Sequence, residues 1–323
     1  MSAPLSDAAP VLRLVPEPVE SDAETSGERA LALRYYTVTA HDGTTLQAWT
    51  NDVDGTMSGP TVLLCNGLGT NPYAWPALLD PDCGVRVVSW NHRGTGGSER
   101  PADRTHVGID AFVEDAIAVM DDAGIESAPV MGWSMGVNTA FELATLHPDR
   151  VDALFAVAGV PGGTFSSMLA PLHVPRFARA AITVNAARLM RTFGAPLSVL
   201  ARNLPIGPTA VALLSHSGFM LPVADAELTA MTMHEMLQTP IDWYMHLAVE
   251  TSKHLRVSLA SIEVPTTFVA GTWDVLASAA DMLTAAERIL DAEYVEFSAS
   301  HFVAMEHPAE VHELLLDLLD RVP

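Results

Sequence analysis

The sequence predicts an α/β architecture: a mostly parallel sheet flanked by helices, with an α-helical segment inserted late in the alternation. Three observations carry this prediction. Apolar runs of strand length alternate with amphipathic helical patterns. Most of those runs are apolar at consecutive positions, as strands buried on both faces are. The alternation then stops between about Gly162 and Leu259, where Ala, Leu, Met and Pro dominate and no strand run occurs. The chain has 323 residues, 49% hydrophobic and 17% charged, which is ample apolar material for a large core.

The elements follow in order. Residues 1–30 carry Pro4, Pro10, Pro16, Pro18 and several acids, with neither the basic start nor the apolar stretch of a signal peptide. A mobile leader is expected there. Tyr35 to Ala40 and Thr45 to Thr50 alternate like strands around His41-Asp42-Gly43-Thr44, a hairpin signal that places an antiparallel pair at one sheet edge. Thr61 to Cys65, Val85 to Trp90, Ala128 to Trp133, Leu154 to Ala158, Thr266 to Ala270 and Glu293 to Phe297 read as further strands. Ile109, Phe112, Val113, Ala116, Ile117 and Met120 share one helical face, and Val311, Leu314, Leu315, Leu318 and Leu319 repeat that spacing. Leu189-Met190, Leu213-Leu214 and Met231 to Leu237 look helical within the insertion. The expected division is a core of 31–161 and 260–323 with a helical cap over 162–259.

The formal net charge of −22 makes phosphate backbones and anionic lipid headgroups poor partners, so nucleic acid is excluded. No stretch approaches the roughly 18 apolar residues of an integral membrane segment. The two cysteines, Cys65 and Cys83, form neither a disulfide framework nor a metal-ligand pattern. No metal is expected, and a reducing, cytoplasmic setting fits best. The oligomeric state stays open, a homo-oligomer included.

The chemistry centres on Gly132-Trp133-Ser134-Met135-Gly136, a G-x-S-x-G pattern between an apolar run and a helical pattern. Strand, sharp turn, serine and helix lift a nucleophile clear of a sheet, and the glycines relieve crowding around it. A chance pentapeptide is the alternative. A serine hydroxyl needs a base, and the base needs an orienting acid. His301 follows a strand and a small-residue turn; the neighbouring His307 precedes Pro308 and reads as a helix-cap or surface residue. Asp274 follows another strand, whereas Asp281 lies further on in a helix. A turn or N-cap role is the alternative for Asp274. Nucleophile, acid and base in the order Ser134, Asp274, His301 is one of the known triad orders.

Two backbone N–H groups are needed for an oxyanion hole. Met135, after the nucleophile, supplies one; Leu68, in the turn Asn66-Gly67-Leu68-Gly69, supplies the other, unless that turn is only structural. Asn91 to Ser98 completes no nucleotide-loop pattern and reads as a structural turn ordered by Arg93 and Ser98.

Together these residues resemble the α/β-hydrolase superfamily over roughly Thr37 to Val322. The resemblance matches the nucleophile elbow to Gly132–Gly136, the oxyanion turn to Asn66–Gly69, and the late acid and base to Asp274 and His301. It matches the family's final loop to Ser300-His301-Phe302 with Glu306 and Pro308, and its cap to the insertion. Relatives mostly carry His-Gly where this chain has Asn66-Gly67, a turn similar to that of some intracellular polyhydroxyalkanoate depolymerases. They also often have Asp before Arg-Gly, where this chain has Asn91-His92-Arg93. A serine nucleophile argues against the haloalkane dehalogenases and epoxide hydrolases of this superfamily, which use aspartate. The resemblance implies a cofactor-free serine esterase, lipase-like, that cleaves a small-molecule carboxylic ester through an acyl-enzyme. Met168, Met190, Met220, Met231, Met233, Met236 and Met245 suggest an apolar acyl pocket under the cap, or simply pack cap helices together. Carbon–carbon bond hydrolysis and cofactor-free haloperoxidase-like activity use the same triad and stay open. So does a non-catalytic ligand-binding protein of the same fold.

Overall fold

Nine strands form one sheet in a computed structural model of the chain, which describes residues 11–15, 31–255 and 257–322. In chain order they are β1 Val11–Val15, β2 Arg34–Thr39, β3 Thr45–Thr50, β4 Thr61–Cys65, β5 Arg86–Trp90, β6 Ala128–Trp133, β7 Val151–Val157, β8 Thr266–Gly271 and β9 Ala292–Phe297. Their order across the sheet is β1-β9-β8-β7-β6-β4-β5-β3-β2. The pairs β2–β3 and β3–β5 are antiparallel and all others are parallel. The Asp-Gly turn between β2 and β3 puts Gly43 at φ +84°, with Asp42 Oδ1 accepting the Thr44 amide at 3.0 Å.

β6 and β8 are buried at every residue, which is why they read as unbroken apolar runs. Successive β6 residues serve opposite layers: Val130 joins one core cluster, Met131 and Trp133 the other. The first cluster is completed by Phe112 and Val113 of α1 (Ile109–Asp122) and by Val137 and Phe141 of α2 (Gly136–Leu146). The second is completed by Leu314, Leu315 and Leu318 near the C-terminus.

The expected leader over 1–30 needs correction at one place. Val11–Val15 is an edge strand, running parallel to β9 from Val11 opposite Glu293 to Val15 opposite Phe297. A β-prone Val-Leu-Arg-Leu-Val segment there pairs a row of β9 backbone groups that would otherwise form an open edge. The rest of that expectation lies outside the described residues.

Between β7 and β8 the chain is helical: α3 Thr164–Ser167, α4 Arg176–Arg202, α5 Pro208–Ser215, α6 Ala226–Gln238 and α7 Ile241–Thr251. α4 and α7 approach closely at Gly194, where a Cβ would stand 2.6 Å from the Asp242 nitrogen. Trp243 of α7 ties this segment to the core. Its indole N–H donates to the Arg93 carbonyl at 2.9 Å, and the Arg100 guanidinium lies 4.4 Å from the ring centroid. α8 (Ala279–Ala286), α9 (Val303–Glu306) and α10 (Pro308–Leu319) complete the fold. Among the described residues, no helix is long and apolar enough to cross a membrane.

Candidate active site

Ser134 sits in the turn between β6 and α2 at φ +55°, a left-handed conformation that a non-glycine residue holds at a cost of about 1–3 kcal/mol. The surroundings impose it: the Ser134 amide donates to the Val157 carbonyl at 2.9 Å, and the Ser134 carbonyl accepts from Val137 at 3.2 Å. The flanking glycines are sterically required. A Cβ on Gly136 would stand 1.8 Å from the Cys65 carbonyl oxygen, and one on Gly132 would stand 2.7 Å from Val137 Cα. Trp133 points into the second core layer, and its indole N–H donates to the His301 carbonyl at 3.1 Å.

His301 and Asp274 follow β9 and β8, at the same ends of parallel strands as Ser134. His301 Nε2 lies 2.8 Å from Ser134 Oγ, and His301 Nδ1 lies 2.8 Å from Asp274 Oδ2. Asp274 Oδ1 accepts the amides of Leu276 at 2.7 Å and Ala277 at 2.8 Å, so its other oxygen is aimed at the imidazole. Because the carboxylate can only accept, His301 carries its proton on Nδ1 and offers a lone pair to the serine hydroxyl. Asp281 stands apart, ion-paired with Arg176 at 3.1 Å. His307, read as a cap or surface residue, precedes α10 but is buried, its ring 5.0 Å from that of Phe297.

Leu68 and Met135 both line the cavity above Ser134. Neither backbone amide is donated to a protein acceptor among the described residues, so both N–H groups are free for a ligand. Asn66 braces this loop. Its Oδ1 accepts the Gly67 amide at 3.0 Å and the Trp75 indole at 3.2 Å, while Nδ2 donates to the Asn71 carbonyl at 3.2 Å. Gly69, at φ +67°, lets Tyr244 pack on the loop; a Cβ there would meet the ring at 2.6 Å.

The turn after β5 is ordered by the residues the sequence singles out. Ser98 Oγ donates to the Asn91 carbonyl at 2.6 Å and accepts the Gln47 amide at 2.8 Å. Arg93 is wholly buried, with Nη2 on Asp115 Oδ1 at 2.7 Å, Nε on Oδ2 at 2.9 Å, and Nη1 on Asp42. Burial pushes the Asp115 carboxyl up, and Arg93 opposes that shift.

Three residues support the site: Glu306, which the final-loop pattern singles out, and Asn138 and Tyr244, which escaped sequence reasoning. Glu306 Oε2 accepts the Ser300 amide at 2.8 Å, and Oε1 accepts the Leu221 amide at 2.8 Å, joining the His301 loop to the inserted segment. Asn138 accepts the Gly162 amide at 2.8 Å and donates to Thr164 Oγ1 at 2.8 Å. Tyr244 lines the cavity with a hydroxyl that has no partner among the described residues. The Ser300-His301-Phe302…Glu306 spacing signalled the first; the other two depend on contacts distant in sequence.

A cavity of about 500 Å³ opens above Ser134 and His301. Its wall includes Met168, Met190, Met220, Met233, Met236 and Met245 from the inserted segment; Met231 faces solvent instead. The threonines in the wall spend their hydroxyls elsewhere. Thr70, Thr183 and Thr232 donate to backbone carbonyls, and Thr164 binds Asn138.

Residues 60–204 match a family model described as alpha/beta hydrolase fold. Over 300 residues the chain is 28% identical to epoxide hydrolase A of Mycobacterium tuberculosis, spanning 82% of this chain and 92% of that protein. Among solved structures, the enol-lactonase of Burkholderia xenovorans is similar with a TM-score of 0.64 and 23% identity, covering 88% of this chain and all of that one (100%). An esterase of Exiguobacterium antarcticum is similar with a TM-score of 0.67 and 16% identity, covering 88% of this chain and 98% of that one.

Proposed function

We propose that this chain, which has the α/β-hydrolase fold, is a serine hydrolase of carboxylic esters with apolar acyl groups. The observation that carries this reading is the continuous hydrogen-bonded relay Ser134–His301–Asp274 at the floor of an apolar cavity. His301 Nε2 takes the hydroxyl proton as Ser134 Oγ attacks the ester carbonyl. The oxyanion accepts the free amides of Leu68 and Met135, donors whose counterparts elsewhere contribute about 2.7–4 kcal/mol each to the transition state. The imidazolium, stabilised by Asp274, then gives its proton to the departing alcohol. Water, deprotonated by His301, attacks the acyl-enzyme and frees Ser134.

The serine also weighs against epoxide opening, despite the likeness to an epoxide hydrolase. Attack of Ser134 on an epoxide carbon would leave an ether on the enzyme. An ether has no carbonyl for water to attack, so turnover would end after one event. Esters, lactones and carbamates all leave a hydrolysable carbonyl, and the apolar wall favours the first of these with a hydrocarbon acyl chain.

Burial of each acyl methylene at about 0.8 kcal/mol corresponds to about fourfold in kcat/KM until the cavity is filled. The test is intact-mass analysis after a small fluorophosphonate, on wild type and Ser134→Ala, followed by a p-nitrophenyl ester series from acetate upward. One adduct on wild type, none on the variant, and kcat/KM rising beyond butyrate are expected. No adduct on folded wild type, or no preference beyond acetate, would refute the reading.

A further inference from the structure

The average charge of the chain hides a local reversal. From Ala153 to Ala224 there is no Asp or Glu, while five arginines occur: Arg176, Arg179, Arg188, Arg191 and Arg202. All five lie on α4, in a chain of net charge −22. Only Arg176 has a carboxylate within ion-pair reach among the described residues. Arg179 and Arg202 donate to backbone carbonyls and keep their charge.

α4 is also inverted in its packing. The residues it buries are small: Ala187, Gly194, Ser198 and Ala201. Of its exposed large apolar residues, Phe177 and Val199 lie elsewhere on the helix, and five others are Ile182 50%, Leu189 60%, Phe193 59%, Leu197 44% and Leu200 65% exposed. The spacing of those five, i, i+7, i+11, i+15 and i+18, places them in one stripe on the side of the helix away from its packed face. A contiguous apolar surface of this kind on a folded protein marks an interaction site. The stripe borders the cavity mouth, because Met190 and Phe219 line the cavity and are themselves 39% and 40% exposed.

We propose that α4 docks the protein onto an anionic lipid surface, the apolar stripe entering the headgroup–acyl boundary and the arginines meeting lipid phosphates. Arg188, Arg191 and Arg202 fall across the helix from the stripe, and arginines on one face with an apolar stripe on the other, without an acid, are the pattern of a helix that lies in a membrane interface. Five arginines and Pro196 keep α4 from being a span. Screening over about 8 Å at physiological salt lets the patch act locally despite the net charge of −22. The whole-chain charge therefore misleads about lipid, because it averages over a 72-residue stretch, 153–224, that holds no acid. A second copy of the chain is a poor occupant: a two-fold contact would set these arginines against themselves with no carboxylate from either helix. Docking is independent of the ester reading and is measured without turnover.

The experiment is co-sedimentation of the full chain with vesicles of equal parts phosphatidylglycerol and phosphatidylcholine, against phosphatidylcholine alone. Wild type is expected to pellet with the anionic vesicles only, and to be released by about 0.5 M salt. Arg188→Gln/Arg191→Gln is expected to weaken partitioning about twenty-five-fold, at about fivefold per arginine. Leu189→Asp/Phe193→Asp is expected to abolish it at any salt. All four positions are exposed, and circular dichroism melting checks that both variants fold. Failure of wild type to bind anionic vesicles, or binding that survives both double variants, overturns the proposal. So does a lipid-free dimer that Leu189→Asp/Phe193→Asp dissociates, which assigns the face to a second copy.

Discussion

Replacing Asp274 by asparagine changes one atom and reverses a proton. In the wild type, Oδ1 is held by the amides of Leu276 and Ala277, and Oδ2 accepts from His301 Nδ1 at 2.8 Å. In Asp274→Asn the two amide donors select the carbonyl oxygen of the side chain, because an NH2 group there would face N–H against N–H. The NH2 is left toward the imidazole, so Nδ1 must become the acceptor and Nε2 must carry the proton. That proton points at Ser134 Oγ, and the ring can no longer accept the hydroxyl proton. The same change in a serine protease lowers kcat about 10⁴-fold, which corresponds to about 5 kcal/mol of transition-state free energy. Stability should fall by only about 1 kcal/mol, since both amide bonds survive with a neutral acceptor. The assay is p-nitrophenyl butyrate hydrolysis alongside the rate of fluorophosphonate adduct formation, with thermal melting as the control for folding. Both rates should fall together, because both need Ser134 to lose its proton. A folded variant within tenfold of wild type, or one that loses turnover but keeps its adduct rate, would refute the reasoning.

Two further outcomes concern the scaffold. Arg93→Met should destabilise the protein by about 3–5 kcal/mol by stranding the buried Asp115 carboxylate, and adding Asp115→Leu should recover much of that loss in chemical denaturation. His92 is buried against the Phe112 ring at 4.4 Å, and burial lowers its pKa to about 4. The unfolded chain protonates this residue near pH 6.5, so its contribution to stability is complete above that pH and is lost as pH falls toward 4, by about 2 kcal/mol at pH 5. His92→Phe should lose correspondingly less stability between pH 7.5 and 5 in the same denaturation assay; an unchanged pH slope would count against His92 as the source.

How far sequence reasoning reached follows from which interactions are local. The Gly132–Gly136 turn was legible because strand, turn and helix are contiguous, and its glycines answer to atoms on neighbouring segments that any such turn must approach. The buried strands were legible because burial on both faces writes itself as an apolar run. The antiparallel edge was legible because Asp42-Gly43 encodes its turn. Val11–Val15 was not, because a proline-rich composition on either side masked a five-residue run whose partner strand is β9, some 280 residues away. Met231 could not be separated from its cavity-lining neighbours Met233 and Met236, since the face of a helix that turns inward is set by what packs on it.

By itself, then, the sequence determined the alternating architecture, the sharp turn that presents Ser134, and the strand ends at which Asp274 and His301 stand. These are properties of backbone conformation and of hydrophobic period, and both are local. Only the tertiary structure decided what surrounds them. It buries Arg93 between two carboxylates, braces His301 through Glu306 and Trp133, and sets Tyr244 in an apolar wall. It also turns the small residues of α4 inward and its large ones to water. A helical period fixes which residues share a face, whereas the choice of face to bury is settled by shape and contact with the rest of the molecule.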